Sequence, residues 1–251
     1  MRIDPAGWPF IGGALALALM AAFLVSTTLG VILAALSAFF LFFFRDPERV
    51  VNTAPNAVLS PADGRVMVAG PSTSRDFPPD RWQQISIFLS PMDVHINRMP
   101  VGGRLTKVEY HPGRFLPAYK PDAGDLNEYT EVRVDVNGQQ VVFRQIVGIL
   151  ARRIVCRARV GDEVRAGDRF GVMKFGSRMD VFLPLTAIIE VTVGQKVVAA
   201  VTVLAELPPS PASARPELPL HRAGARGGDH GLPPHRAGVR GGDPGSAHVT
   251  P

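Results

Sequence analysis

Three tracts of this 251-residue chain hold reactive side chains that packing alone does not require. "SPADGRV" carries Asp63 ahead of Gly64, and "FLSPMDVHINRMP" carries Asp93, His95, Asn97 and Arg98. "GVMKFGSRMDVFLP" sets Ser177 directly after Gly176 and before Arg178. A serine hydroxyl is a weak nucleophile unless a base stands within reach, so His95 oriented by Asp63 is the natural partner for Ser177. Each residue also has an ordinary reading, because Gly-Ser and Asp-Gly are common turn pairs and a lone histidine in a strand is more often structural. No metal site is expected, since His95 and His111 stand far apart and Cys156 is the single cysteine.

Runs with the period of strands must position these residues. "AVLSPADGRVMVAG", "QQISIFLS", "GRLTKVEYHPG", "TEVRVDVNGQQVVFRQIVG", "RRIVCRARVGD" and "AIIEVTVGQKVVAAVTVLAEL" are β-branched stretches punctuated by Gly, Pro, Asn and Asp. Asn137-Gly138 predicts a two-residue hairpin, because a type I′ turn needs positive φ at both central positions. The fold expected is mainly β, a sandwich or barrel with few helices. "VGDEVRAGDRFGVM" from Val160 and "VGQKVVAAVTVLAE" from Val193 resemble the half-repeat of lipoyl or biotinyl barrels. The Met173-Lys174 pair precedes the Gly-Ser step, whereas a swinging lysine stands at the turn tip.

Residues 1–46, 47–207 and 208–251 read as three regions. From Trp8 to Phe44 there is no ionisable side chain. One straight helix of that length would span roughly 55 Å against a hydrocarbon core of about 30 Å. "STTLG" at Ser26 to Gly30 is the expected break, giving a hydrophobic helical hairpin. Arg2 before it and Arg45 and Arg49 after it place both ends in the cytoplasm by the positive-inside rule, with the β domain on the cytoplasmic side of the cell membrane. A cleaved signal peptide and one long tilted helix are the competing readings. The tail is a Pro/Gly/Arg-rich near-duplicate, repeating from His221 at His235, and its composition predicts disorder. The net charge of +5 owes much to tail arginines, and no basic tract interleaves with aromatics, so nucleic acid is not an expected partner.

The ordered set "FFRDP", "SPADG", "IFLSPMDVHINRMP", "ARRIVC" and "RFGVMKFGSRMDVFLP" resembles phosphatidylserine decarboxylase in its short bacterial and archaeal form, from about Phe42 to Leu207. The resemblance implies a membrane-bound proenzyme that cuts itself between Gly176 and Ser177, the two fragments remaining associated. Ser177 Oγ would attack the Gly176 carbonyl, and elimination and hydrolysis would leave a pyruvoyl group in place of Ser177. That ketone would form a Schiff base with phosphatidylserine and draw off the electrons released with carbon dioxide, giving phosphatidylethanolamine. No external cofactor is then needed.

The resemblance also assigns proton transfer to His95 with Asp63. Longer relatives carry a second histidine where this chain has Arg98. Either His95 serves both self-cleavage and decarboxylation, the reading favoured here, or Asp63 acts on Ser177 while Arg98 stabilises the oxyanion or the substrate phosphate. Arg178 and His111 are further candidates for substrate contact, and Asn127 and Glu128 match the family's lipid-side loop with Phe115, Leu116 and Tyr119. The alternative from another class is a non-catalytic, membrane-tethered, lipoyl-like interaction module. The lack of long coiled-coil heptads counts against it.

Overall fold

The computed structural model describes residues 2–209, apart from Thr53, Pro55, 150–153 and Phe175. The predicted disordered tail lies, from residue 210 on, outside the described residues.

The chain is mainly β. An eight-stranded antiparallel sheet runs in the order Glu163–Val164, Gly103–His111, Tyr129–Val136, Gln139–Ile146, Ser177–Pro184, Trp82–Leu89, Gly64–Pro71 and Lys196–Val197. Two three-stranded sheets accompany it, Ile154–Cys156 with Arg169–Met173 and Ile96–Arg98, and Ile188–Ile189 with Val203–Glu206 and Ala57–Leu59. Asn137 and Gly138 turn between their strands with φ of 53° and 84°, the geometry that the Asn-Gly pair predicts.

Ser177 opens a central strand. Its partners run from Ser177↔Leu89 to Pro184↔Trp82 on one side and from Arg178↔Ile146 to Phe182↔Val142 on the other. With a side-chain period of two, Met179, Val181 and Leu183 enter the main core together with Ile85, Ile87, Leu89, Val141 and Phe143. Phe182 faces the other way, against Phe77 and Val142. Burial on both faces explains why "SRMDVFLP" does not alternate cleanly between apolar and polar residues.

Two helices precede the sheets, α1 at Trp8–Leu24 and α2 at Thr27–Phe43. The break falls at Val25 and Ser26, at the leading edge of the predicted segment, because the Ser26 hydroxyl accepts from the Leu29 N–H and caps α2. Gly30 lies inside α2, where a side chain would strike Ala22 at 2.5 Å; it serves close helix packing. The apolar stretch Pro5–Leu24 is long and apolar enough to cross a membrane, and α2 is a shorter apolar helix.

The hairpin base is fastened to the β domain. Phe43 and Phe44 pack with Val94, Ile96 and Val172, and Arg157 grips Asp4 through both terminal nitrogens at 3.0 and 2.7 Å.

The two similar segments make matching backbone bonds. Gly161 and Leu105 exchange bonds with the Asp162 turn as Gly194 and Val66 do with the Gln195 turn. Glu163 pairs with Arg104 and Lys196 with Arg65. These pairings do not establish a lipoyl-type barrel, and the Lys174 ammonium lies over the Phe10 ring at 4.7 Å.

Candidate active site

Ser177 is wholly buried, and its hydroxyl oxygen has no hydrogen-bond partner. The preceding Gly176 has φ of 74°, a left-handed conformation that side chains resist, so glycine here is a backbone requirement. The Gly176 carbonyl oxygen points at Gly148, where a Cβ would stand 2.3 Å from it. The Gly176–Ser177 peptide is thus held between a left-handed glycine and the paired start of a central strand.

His95 is equally buried, its ring 4.2 Å from that of Phe43 between centroids. Its Nδ1 lies 2.9 Å from the Asp93 carbonyl oxygen. A carbonyl only accepts, so Nδ1 carries the proton and Nε2 presents a lone pair. Nε2 has no partner. Burial disfavours the imidazolium and lowers the pKa to about 4, outweighing the Asp93 carbonyl and carboxylate that favour the charge. His95 is therefore a free base at neutral pH. Asp93 itself closes the Ser90–Asp93 turn by accepting from the Ser90 N–H at 2.8 Å.

The sequence reading has Asp63 orienting His95, and the structure gives that task to the Asp93 carbonyl instead. The Asp63 carboxylate accepts from Arg49 Nη2 at 2.7 Å and from the Ala199 N–H at 2.8 Å. Burial raises its pKa against the pull of the Ala199 N–H and Arg49. Asp63 thereby ties the segment leaving the helical hairpin to the turn near the end of the domain.

Arg98 does not present its charge to Ser177. Nη2 bonds Asp46 Oδ1 and the Pro47 carbonyl, both at 3.1 Å, and Nη1 bonds the Gly167 carbonyl at 3.1 Å. Asp46 is shared with Arg169 at 2.5 Å. An arginine whose terminal nitrogens are committed in this way anchors the hairpin base and is a poor oxyanion donor. Arg178 points to the opposite face from Ser177, bonding Asp180 at 2.6 Å and the Ser86 hydroxyl at 3.0 Å. His111 bonds Glu109 at 3.0 Å and stacks on Tyr129, in a polar hollow shared with Asp76, Lys107, Glu131, Arg133 and Arg144.

Two residues inside the domain complete the site. Gln145 Nε2 donates to Asn97 Oδ1 at 2.8 Å, leaving Gln145 Oε1 and Asn97 Nδ2 buried without partners. Gln145 stands opposite Met179 in the ladder, on the core face that Ser177 shares. It reaches Asn97 past Gly171, whose missing side chain would lie 2.6 Å from Gln145 Nε2. Asn97 stood out in the sequence. Gln145 did not, though a glutamine in the inward row Val141, Phe143, Gln145 was a legible signal.

An apolar cavity of about 360 Å³ opens beside Gly176, lined by Phe88, Pro91, Pro117, Ala118, Tyr119 and Ile149. Exposed Met92, Tyr119 and Ile149 stand around this part of the surface, and Arg45 Nη2 bonds the Met92 carbonyl at 2.7 Å, tying it to the foot of α2. Asn127 locks the loop, accepting from Leu116 N–H and donating to the Leu116 and Val147 carbonyls, each at 2.8 Å.

Residues 36–205 match the family model described as phosphatidylserine decarboxylase. Similar curated proteins bear the name phosphatidylserine decarboxylase proenzyme. The one from Symbiobacterium thermophilum is 46% identical over 204 residues, covering 80% of this chain and 94% of its own length. The one from Granulibacter bethesdensis is 44% identical over 215 residues, covering 82% and 85%. The one from Mycobacterium bovis is 44% identical over 211 residues, covering 81% and 89%.

Proposed function

The chain belongs to the phosphatidylserine decarboxylase family, and from that premise we propose that Ser177 is the residue through which it acts. Its reaction is the decarboxylation of phosphatidylserine to phosphatidylethanolamine, and it is made as a proenzyme that cuts itself. The observation that carries the assignment is the pair of buried, unpartnered atoms, Ser177 Oγ and His95 Nε2, beside a left-handed Gly176. A hydroxyl and an imidazole lone pair sealed from water are costly unless chemistry uses them.

In the uncut chain His95 Nε2 takes the hydroxyl proton as Ser177 Oγ adds to the Gly176 carbonyl carbon. Collapse moves the upstream acyl group from nitrogen to oxygen and gives an ester. Loss of the Ser177 α-proton and departure of the ester oxygen release residues 1–176 with a Gly176 carboxylate. Water then converts the dehydroalanine left at 177 to ammonia and a pyruvoyl group. That group supplies the electron sink for the decarboxylation. His95, held by the Asp93 carbonyl, remains in place to move the protons of both stages.

The fragments stay together after the cut. The Ser177 strand is paired on both sides by strands of the upstream fragment, and Val203–Glu206 pairs with Ala57–Leu59. The helical hairpin holds the domain at the membrane, with Arg2, Arg45 and Arg49 on the cytoplasmic side. The substrate's headgroup enters beside Tyr119 and Ile149, its acyl chains remaining toward the bilayer, and the apolar cavity at Gly176 accepts the glyceryl portion.

The test is direct. Purified protein in mixed vesicles containing serine-carboxyl-labelled phosphatidylserine should release labelled carbon dioxide and form phosphatidylethanolamine, and Ser177→Ala should do neither. Labelled carbon dioxide at equal rates from both proteins would remove Ser177 from the mechanism.

A further inference from the structure

Five buried side-chain polar atoms lack a hydrogen-bond partner among the described residues, and four belong to Ser177, His95, Asn97 and Gln145. They share one region. Asn97 follows His95 by two residues, in the short strand Ile96–Arg98 that His95 leads into, and both are buried. Gln145 faces Met179, two residues beyond Ser177 on the same face, which makes it the diagonal neighbour of Ser177 at about 7–8 Å between Cα atoms. The Gln145–Asn97 bond joins the two sheets.

We propose that this amide pair supplies the N–H donor for the oxygen that leaves Ser177 during self-cleavage. The inference rests on the self-cleavage reading above and assigns a donor to its second step. When the Ser177 α-proton passes to His95 Nε2, the Cα–H electrons become the Cα=Cβ bond and the Cβ–Oγ bond breaks. Oγ departs as part of the Gly176 carboxylate, so negative charge grows on it in a site closed to bulk solvent. His95 enters the step as the base: its Nδ1–H is held by the Asp93 carbonyl and its Nε2 lone pair is turned to the α-proton, so neither nitrogen has a free N–H as the Cβ–Oγ bond begins to break. Arg98 and Arg178 point their charges into Asp46 and Asp180. The amide pair has a free donor in either orientation of its two groups: one amide N–H bonds across the pair, leaving the partner's N–H free. That donor is Asn97 Nδ2, and Gln145 is the positioning residue that holds it by occupying the Asn97 oxygen. A Cβ on Gly171 would meet both the Val155 carbonyl oxygen at 2.5 Å and the Gln145 end of this bridge at 2.6 Å.

The test follows processing of the full chain during cell-free synthesis with lipid vesicles, by intact mass. Asn97→Ala should slow the cut about 100-fold, the usual consequence of removing one such donor. The uncut chains should split at 176–177 on treatment with neutral hydroxylamine, because the ester forms and then stalls. Asn97→Asp keeps the shape; it should stall at pH 8, where the carboxylate only accepts, and recover as the pH falls and an O–H donor returns. This variant and its melting temperature decide the matter if Asn97→Ala does not fold. Processing of Asn97→Ala and Asn97→Asp at the unaltered rate would overturn the proposal. So would an uncut Asn97→Ala chain that hydroxylamine leaves intact, since the donor would then act before the ester. An unaltered chain that is never cut at 176–177 would remove the self-cleavage reading and this inference with it, a result distinct from either.

Discussion

The Gly176 carbonyl oxygen rests on the bare Cα of Gly148, with no room for a methyl group between them. The carbonyl carbon must become tetrahedral when Ser177 attacks, which swings this oxygen out of its plane. Gly148 leaves the space for that movement.

Gly148→Ala should therefore accumulate as the uncut chain, with cleavage slowed at least about tenfold, since a sub-ångström displacement of reacting atoms is costly. Gly12→Ala, where nothing lies within 4 Å of the added methyl, is the control and should be cut normally. A gel of each protein after synthesis checks this, and equal cutting of both would remove Gly148 from the account.

His95 makes the uncut protein acid-sensitive. Its pKa is 6.5 when exposed and about 4 in the fold. Above pH 6.5 both states hold the ring neutral and the fold has its full stability. Between pH 6.5 and 4 the unfolded chain binds the extra proton, so stability falls as the pH drops, by about 1.4 kcal/mol per unit and about 3 kcal/mol in all. Asp63, whose pKa is raised, acts in the opposite sense at the acid end. Urea unfolding of Ser177→Ala and of the Ser177→Ala/His95→Phe double variant from pH 7.5 to 4.5 isolates the histidine as the difference in slope. Parallel slopes would mean that His95 is not buried as a neutral base.

Phe43 at the end of α2 is the wall that dries His95. Phe43→Ala should admit water, return the pKa toward 6.5 and move the acid limb of self-cleavage upward by one to two pH units, roughly the scale of desolvation shifts. A pH–rate profile of processing reads this, and an unmoved limb would separate the helical hairpin from the chemistry.

Arg98 should matter for stability and not for turnover. It is buried with Asp46, and because Arg169 still pairs Asp46 its removal should cost less than about 3–5 kcal/mol, the cost of a buried pair left with one bare charge. Arg98→Ala should lower the melting temperature while the folded fraction is still cut and decarboxylates at the normal rate. Normal stability with lost turnover would return Arg98 to substrate or oxyanion contact.

Legibility from sequence followed the range of the interactions. The Asn137-Gly138 turn, the alternation of the strands and the helix break at Ser26 are local matters of φ and hydropathy, and they read correctly to within a few residues. Ser177, His95 and Asn97 were visible as reactive types in ordered motifs. The holder of His95 was not, because it is the Asp93 backbone carbonyl, and every residue has one. Asp63, Arg98 and Arg178 each looked available in sequence. Their partners Arg49, Asp46 and Asp180 were in plain view too, but only tertiary packing shows the charges to be mutually committed.

The most direct test of the central claim is the intact mass of the purified protein beside its Ser177→Ala variant. The account predicts two fragments, residues 1–176 ending in an unmodified glycine and 177–251 beginning with pyruvoyl in place of serine, and a single uncut chain for the variant. An uncut chain from a preparation that still decarboxylates phosphatidylserine, or a smaller fragment with an ordinary N-terminal serine, would contradict it.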